Sequence, residues 1–172
     1  MCSSFTADAK RPGVVHIVGA SNSGKTTLIE RLLPCLRARG LRVGTLKHAH
    51  HGFDLGARGK DSWRHAQAGA EVATVVSPTR AMWVRQTPDE LSLDDAVREM
   101  SHRVDLVLVE GFKRAALSPR VELTSGNGAR VEIVPGRCRM TVSPSGLLPS
   151  ELDDVVSFCV GIAMGGAPCR LP

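Results

Sequence analysis

The sequence predicts an α/β domain of three layers, with a mostly parallel, mixed sheet flanked by helices. Three observations carry this. First, Gly19-Ala20-Ser21-Asn22-Ser23-Gly24-Lys25-Thr26 reads G-x-x-x-x-G-K-T. It stands between the apolar run Val14-Val15-His16-Ile17-Val18 and the helical pattern that opens at Thr27-Leu28-Ile29. Strand, glycine-rich turn and helix in that order form a phosphate-binding loop. Second, strands and helices alternate along the chain, the pattern of a parallel sheet covered by helices. Third, Val104-Asp105-Leu106-Val107-Leu108-Val109-Glu110-Gly111 is apolar enough for a central strand buried on both faces. Together they predict a P-loop NTPase-like domain.

The elements follow in order. Residues 1–12 read as a flexible lead without the apolar stretch of a secretory signal. A first strand is expected over 14–19 and a first helix over 25–39, with Leu28, Leu32 and Leu36 on one face. Pro34 falls inside that helix and is expected to kink it or end its first half. Gly40 is a suitable stop. A second strand is expected over 42–47, and a long polar connection over 48–60. Residues 61–68 read as a short helix capped by Asp61 or Ser62. Residues 71–77 and 81–86 flank Pro78-Thr79-Arg80 and read as a hairpin. An amphipathic helix is expected over 92–102, with Asp94 and Asp95 in its first turn. After the central strand, residues 120–141 hold two or three short strands broken at Gly126-Asn127-Gly128 and Pro135-Gly136. A last helix over 151–163, capped by Ser150, leads to a loose tail over 165–172. The whole of 1–172 reads as a single nucleotide-binding domain.

Composition narrows the function classes. No apolar run approaches the roughly 20 residues of a membrane span, so the expectation is a cytoplasmic protein without a membrane partner. The five cysteines are odd in number, widely spaced and free of C-x-x-C, which argues against a disulfide framework or a zinc ribbon. Cys35 and Cys159 read as core thiols. The formal net charge is +5, but the basic residues are scattered and tyrosine is absent. Without a stacking platform, nucleic acid is not the expected partner.

The candidate site residues follow from phosphate chemistry. The backbone of Gly19, Ala20, Ser21, Asn22, Ser23 and Gly24 would cradle phosphates, helped by the helix N-terminus. Lys25 would reach the β/γ-phosphates and Thr26 would hold magnesium. A second acid belongs at the C-terminal end of a neighbouring strand, where ligands gather in an open α/β sheet. Glu110 fits that place. Asp105, at the opposite end, reads as structural. Lys47-His48-Ala49-His50-His51-Gly52-Phe53-Asp54 follows the second strand at the same edge. Lys47 would neutralise phosphate charge, Asp54 would approach magnesium or its waters, and His50 would line the pocket. H-x-H-H alone is a weak zinc signal. Lys60 and Arg64 are further anion-binding candidates.

G-A-S-N-S-G-K-T-T-L-I-E (19–30), G-L-R-V-G-T-L-K-H-A-H-H-G-F-D (40–54), G-K-D-S-W-R-H (59–65), A-G-A (68–70) and L-V-L-V-E-G-F-K (106–113) resemble the molybdopterin-guanine dinucleotide biosynthesis protein MobB family. The likeness covers about 14–113 and thins from Arg114 onward. It implies a GTP-binding accessory protein with weak GTPase activity. It also implies a homodimer that assists a molybdopterin guanylyltransferase partner enzyme, with molybdopterin itself as a further ligand. It places Gly24, Lys25, Thr26 and Thr27 on the nucleotide, and residues 47–54 and 109–113, Gly111 among them, along the pocket. The chain departs from the family's F-D-x-D-x-P-G-K-D-S pattern. Gly56 replaces the second aspartate and Arg58 the proline, which lowers the expected rate of hydrolysis. No N-K-x-D is present to select guanine, so GTP rests on the resemblance. Competing readings are a small-molecule kinase with an arginine-rich lid, a nickel-type metal-delivery GTPase using His48, His50 and His51, and an interaction module with a degenerate loop.

Overall fold

The computed structural model describes residues 11–49, 52, 61–112, 119–123, 130–134, 137–142 and 149–165. The chain divides into two compact units, residues 1–48 with 93–172, and residues 49–92. The first unit begins with β1 (Gly13–Val18), α1 (Lys25–Ala38) and β2 (Val43–Lys47). It resumes with α3 (Leu93–Met100), β5 (Leu106–Glu110), β6 (Arg120–Leu123), β7 (Arg130–Val134), β8 (Arg137–Val142) and α4 (Pro149–Ala163). The second unit holds α2 (Asp61–Gln67) and the strands β3 (Val72–Val76) and β4 (Ala81–Arg85).

The six strands of the first unit lie in the order β2-β5-β1-β6-β8-β7. All neighbours are parallel except β7 and β8, which form an antiparallel pair at the edge. The sheet is therefore mostly parallel and mixed, as the sequence predicts. Leu106, Val107, Leu108 and Val109 are fully buried, which makes β5 the interior strand that its apolar run demands. Alternation divides them between two cores. Leu106 and Leu108 join Val15, Ile17 and the buried faces of α1 and α4. Val107 and Val109 join Val97 of α3, with Met100 and Val104 against them. Three layers result. α3 approaches so closely that a Cβ at Gly44 would collide with the end of the Met100 side chain.

α1 buries Leu28, Ile29, Leu32 and Leu36 against the sheet. Pro34 neither ends nor divides it: the helix runs unbroken for 14 residues. Glu30 and Pro34 both lie on the exposed side, so water can take up the carbonyl that proline leaves without a donor. The apolar face meanwhile packs without interruption. At the C-terminus Gly40 takes φ 81°. Its N–H donates to the Arg37 carbonyl at 2.9 Å, and Leu41 N–H to the Leu36 carbonyl at 3.2 Å. This is the paired bonding of a glycine-closed helix.

α4 starts at Pro149, so Ser150 lies in its first turn and is not its cap. Proline's fixed φ suits the first helical position and explains the earlier start. Asp61 and Ser62 likewise sit inside the first turn of α2. Asp105 is structural, as expected: it accepts Arg42 Nη2 at 2.7 Å, Nε at 3.1 Å and the Arg42 backbone N–H at 2.9 Å. That bonding holds the Arg42 guanidinium above its usual pKa, the hydrogen bond first and the charge of Asp105 second. Cys35 is half-buried and Cys159 buried, both free. Burial pushes the Cys159 thiol up to about 12.

In the second unit β3 and β4 pair antiparallel across five positions. Ser77 closes the turn, its N–H and Oγ donating to the Arg80 carbonyl at 2.7 and 3.1 Å. Val72, Val75, Val76, Met82 and Trp83 remain exposed, Val76 at 74% and Trp83 at 56%. Of the lead and tail, residues 1–10 and 166–172 lie outside the described residues, as do Gly126-Asn127-Gly128 and Pro135-Gly136. Among the described residues, no helix is long and apolar enough to cross a membrane.

Candidate functional site

The glycine-rich loop of residues 19–24 leaves the C-terminal end of β1, a strand with neighbours on both sides. Its turn needs unusual backbone angles: Asn22 has φ 58° and Gly24 φ 87°. Asparagine tolerates the left-handed region better than most residues, and glycine has no Cβ to clash. Gly19 is required for a different reason. A Cβ there would stand 2.5 Å from Ser23 Oγ and 3.1 Å from Leu123 Cβ of β6.

Gly24 is the N-cap of α1 and makes no side-chain cap bond, and the first turn carries no acidic residue. Gly24 thus offers no side-chain acceptor to the leading N–H groups of α1, and no carboxylate of that first turn competes for an anion there. The Lys25 ammonium donates to the carbonyls of Ala20 at 2.6 Å and Gly19 at 3.3 Å. A cation is thereby held on the loop itself. Thr26 and Thr27 are exposed at the start of the helix.

Glu110 ends β5, the strand beside β1, and pairs in register with Ile17 of β1 and Lys47 of β2. The acid therefore stands at the same edge of the sheet as the loop, as its sequence position requires. Its carboxylate is 17% exposed and lies 3.8 Å from Lys47 Nζ, itself 68% exposed. A pair so long and so open on one side contributes at most about 1 kcal/mol. Lys47 is therefore held only loosely and can turn to another anion.

Beyond these strand ends the chains stay together. His48 N–H donates to the Glu110 carbonyl at 2.8 Å, one step past β2. Gly111 has φ 100° and Phe112 φ 47°. The His48 and Phe112 rings stack with centroids 4.3 Å apart and 27° between planes. A Cβ on Gly111 would come within 2.7 Å of His48 Cβ. This contact has only a faint sequence signal, an aromatic residue directly after Glu110-Gly111 in a chain with four phenylalanines and no tyrosine.

The fold thus brings Gly19–Thr27, Lys47, Glu110 and Gly111 to one edge of one sheet. His50, His51, Asp54, Gly56, Arg58, Lys60 and Lys113 lie outside the described residues. Arg64 belongs to the second unit, on α2, 4.0 Å from Asp61 and 70% exposed. Among the described residues, no three His, Cys, Asp or Glu side chains gather as a metal-ligand group. The described parts of 114–139 are strands, not the helical lid that a kinase reading requires.

The family model for molybdopterin guanine dinucleotide synthesis protein B, MobB, matches residues 14–139. The molybdopterin-guanine dinucleotide biosynthesis adapter protein of Escherichia coli K12 is 44% identical over 115 residues, 65% of this chain and 66% of that protein. The adapter protein of Haemophilus influenzae is 43% identical over 111 residues, 64% of this chain and 62% of that protein. The matched region spans slightly less than two thirds of the length of each relative. Among solved structures, Bacillus subtilis MobB matches with a TM-score of 0.54 at 34% identity, covering 67% of this chain and 69% of that one.

Proposed function

The chain belongs to the MobB family, and from that premise we propose that it is a GTP-binding adaptor in molybdenum cofactor maturation, with slow intrinsic GTP hydrolysis. One observation carries the reading: a helix N-terminus without a side-chain cap, joined to Lys25 on its loop, shares a sheet edge with Glu110. The cradle takes a triphosphate. Magnesium suits the donors present, since it prefers hard oxygens and needs few from protein when phosphates supply the rest. Thr26 and Glu110 would hold it, and it would neutralise charge on the β- and γ-phosphates.

In the proposed reaction a water oxygen bonds to the γ-phosphorus as the bond to the β–γ bridging oxygen breaks, releasing GDP and phosphate. Lys25 and the loop amides stabilise charge on the departing oxygens. Lys47 exchanges its loose pairing with Glu110 for phosphate. Gly111 lines the pocket, while the roles expected of Asp54 and His50 fall on residues outside the described ones. In sequence, Gly56 stands where the family often carries an aspartate, which lowers the expected rate of hydrolysis. The partner is the guanylyltransferase that joins GMP to molybdopterin in the cytoplasm, and the adaptor works as a homodimer. The exposed apolar side chains of the β3–β4 hairpin, Val76 and Trp83 among them, support self-association.

Co-purification with the guanylyltransferase tests the adaptor role. GTP should increase the partner retained by the unaltered chain. Lys25→Ala should weaken GTP binding about ten- to a hundredfold by removing a charge-assisted contact, keep the fold, and abolish the increase. Equal retention with and without GTP, or unchanged GTP affinity in Lys25→Ala, would contradict the proposal.

A further inference from the structure

We propose that His48 and Phe112 are positioning residues that fix Glu110 and Gly111 for the magnesium-bound form of the nucleotide. This rests on the nucleotide reading above and adds two residues to it. A bulky side chain is seldom found in the left-handed region, and persists there only when its surroundings hold it. Phe112, with φ 47°, is held from two sides. Its ring stacks on the His48 imidazole. It also packs against Val97, Val107 and Val109 on the α3 side of the sheet.

The consequence reaches Glu110 through the backbone. Pairing with Ile17 and Lys47 fixes this residue within the sheet, and His48 N–H holds its carbonyl. What the sheet does not fix is the turn that follows. Two consecutive residues with positive φ, Gly111 and Phe112, set the direction of the chain immediately after the acid. Close packing of Gly111 against His48 leaves no room for a side chain there. Removing either ring lets residue 112 return to ordinary negative φ, and the turn beside Glu110 loses its fixed course. The cradle of 19–24 is built on β1 and α1 and does not depend on this stack. The two halves of the site are therefore separable by experiment.

GTP is titrated into the full chain with and without magnesium, for the unaltered protein and for His48→Ala, Phe112→Leu and His48→Phe. Thermal unfolding by circular dichroism identifies variants that fold. In His48→Ala and Phe112→Leu the enhancement of affinity by magnesium should fall about three- to tenfold, the scale of one ring–ring contact. Affinity without magnesium should change less than about twofold. His48→Phe, which keeps a flat ring against Phe112, should restore the enhancement. A structural role alone would weaken both affinities together. An unaltered enhancement in folded His48→Ala or Phe112→Leu would overturn the positioning role and leave nucleotide binding intact. Failure of the unaltered chain to bind GTP would overturn the nucleotide reading and this one with it.

Discussion

His16 is a buried histidine in the strand that ends at the phosphate loop, 3% exposed, and its Nε2 has no hydrogen-bond partner among the described residues. Burial lowers its pKa from the usual 6.5, and the nearby Arg120 charge lowers it further. The imidazole is therefore neutral in the folded chain over a range where the unfolded chain has begun to bind a proton. Its contribution to stability is complete above 6.5 and declines as pH falls below that value toward the lowered folded pKa. The unfolding temperature should thus be level near neutrality and drop through this mildly acidic range. His16→Leu should flatten that limb; superimposable profiles for the two proteins would refute the assignment. The site was partly legible at this scale. G-x-x-x-x-G-K-T names backbone geometry directly, and Glu110 follows from its place at a strand end. The Phe112 conformation and its stack on His48 were not legible. They arise when two strands distant in sequence finish side by side, and no local pattern records that.

At the scale of elements, α1 shows where local rules yield to packing. Proline in a helix interior removes a bond and crowds the carbonyl four residues back. Here the cost falls on the solvent side, while Leu28, Leu32 and Leu36 pack without a break. Pro34→Ala should accordingly stabilise the protein by about 1–2 kcal/mol, less than the full helix-interior penalty because the freed carbonyl lies on the exposed side, open to water. A lowered unfolding temperature would show that the proline is needed for the course of α1. The same tension explains the start of α4. Ser150 is a good cap by residue type, but Pro149 fits the first helical position better and the helix begins there. Strand positions were legible almost throughout, because apolar runs bounded by glycine, proline and charge leave few alternatives. Strand order was not. That β5 lies between β1 and β2 follows from long-range pairing, and its uniform burial was the only hint in the sequence.

For the whole molecule, the exposed apolar side chains of the β3–β4 hairpin and the proposed phosphate site are separable by experiment. A two-stranded sheet alone is marginally stable and leaves both edges open for pairing. Val76 and Trp83 stand among its exposed apolar side chains. If the Val76 and Trp83 side of the hairpin joins two copies, Trp83→Arg should shift the chain from dimer toward monomer in sedimentation without loss of GTP binding. An unchanged dimer would place the contact elsewhere. A phosphate cradle, a neighbouring acid and family membership together support the proposed role of this chain as a holder of GTP. Calorimetric titration of the purified chain in magnesium, with GTP and with ATP, tests it most directly. Saturable GTP binding is expected at one site per chain, with ATP at least about tenfold weaker, the worth of roughly one lost polar base contact. ATP binding as tight as GTP, or no saturable binding of either, would contradict it.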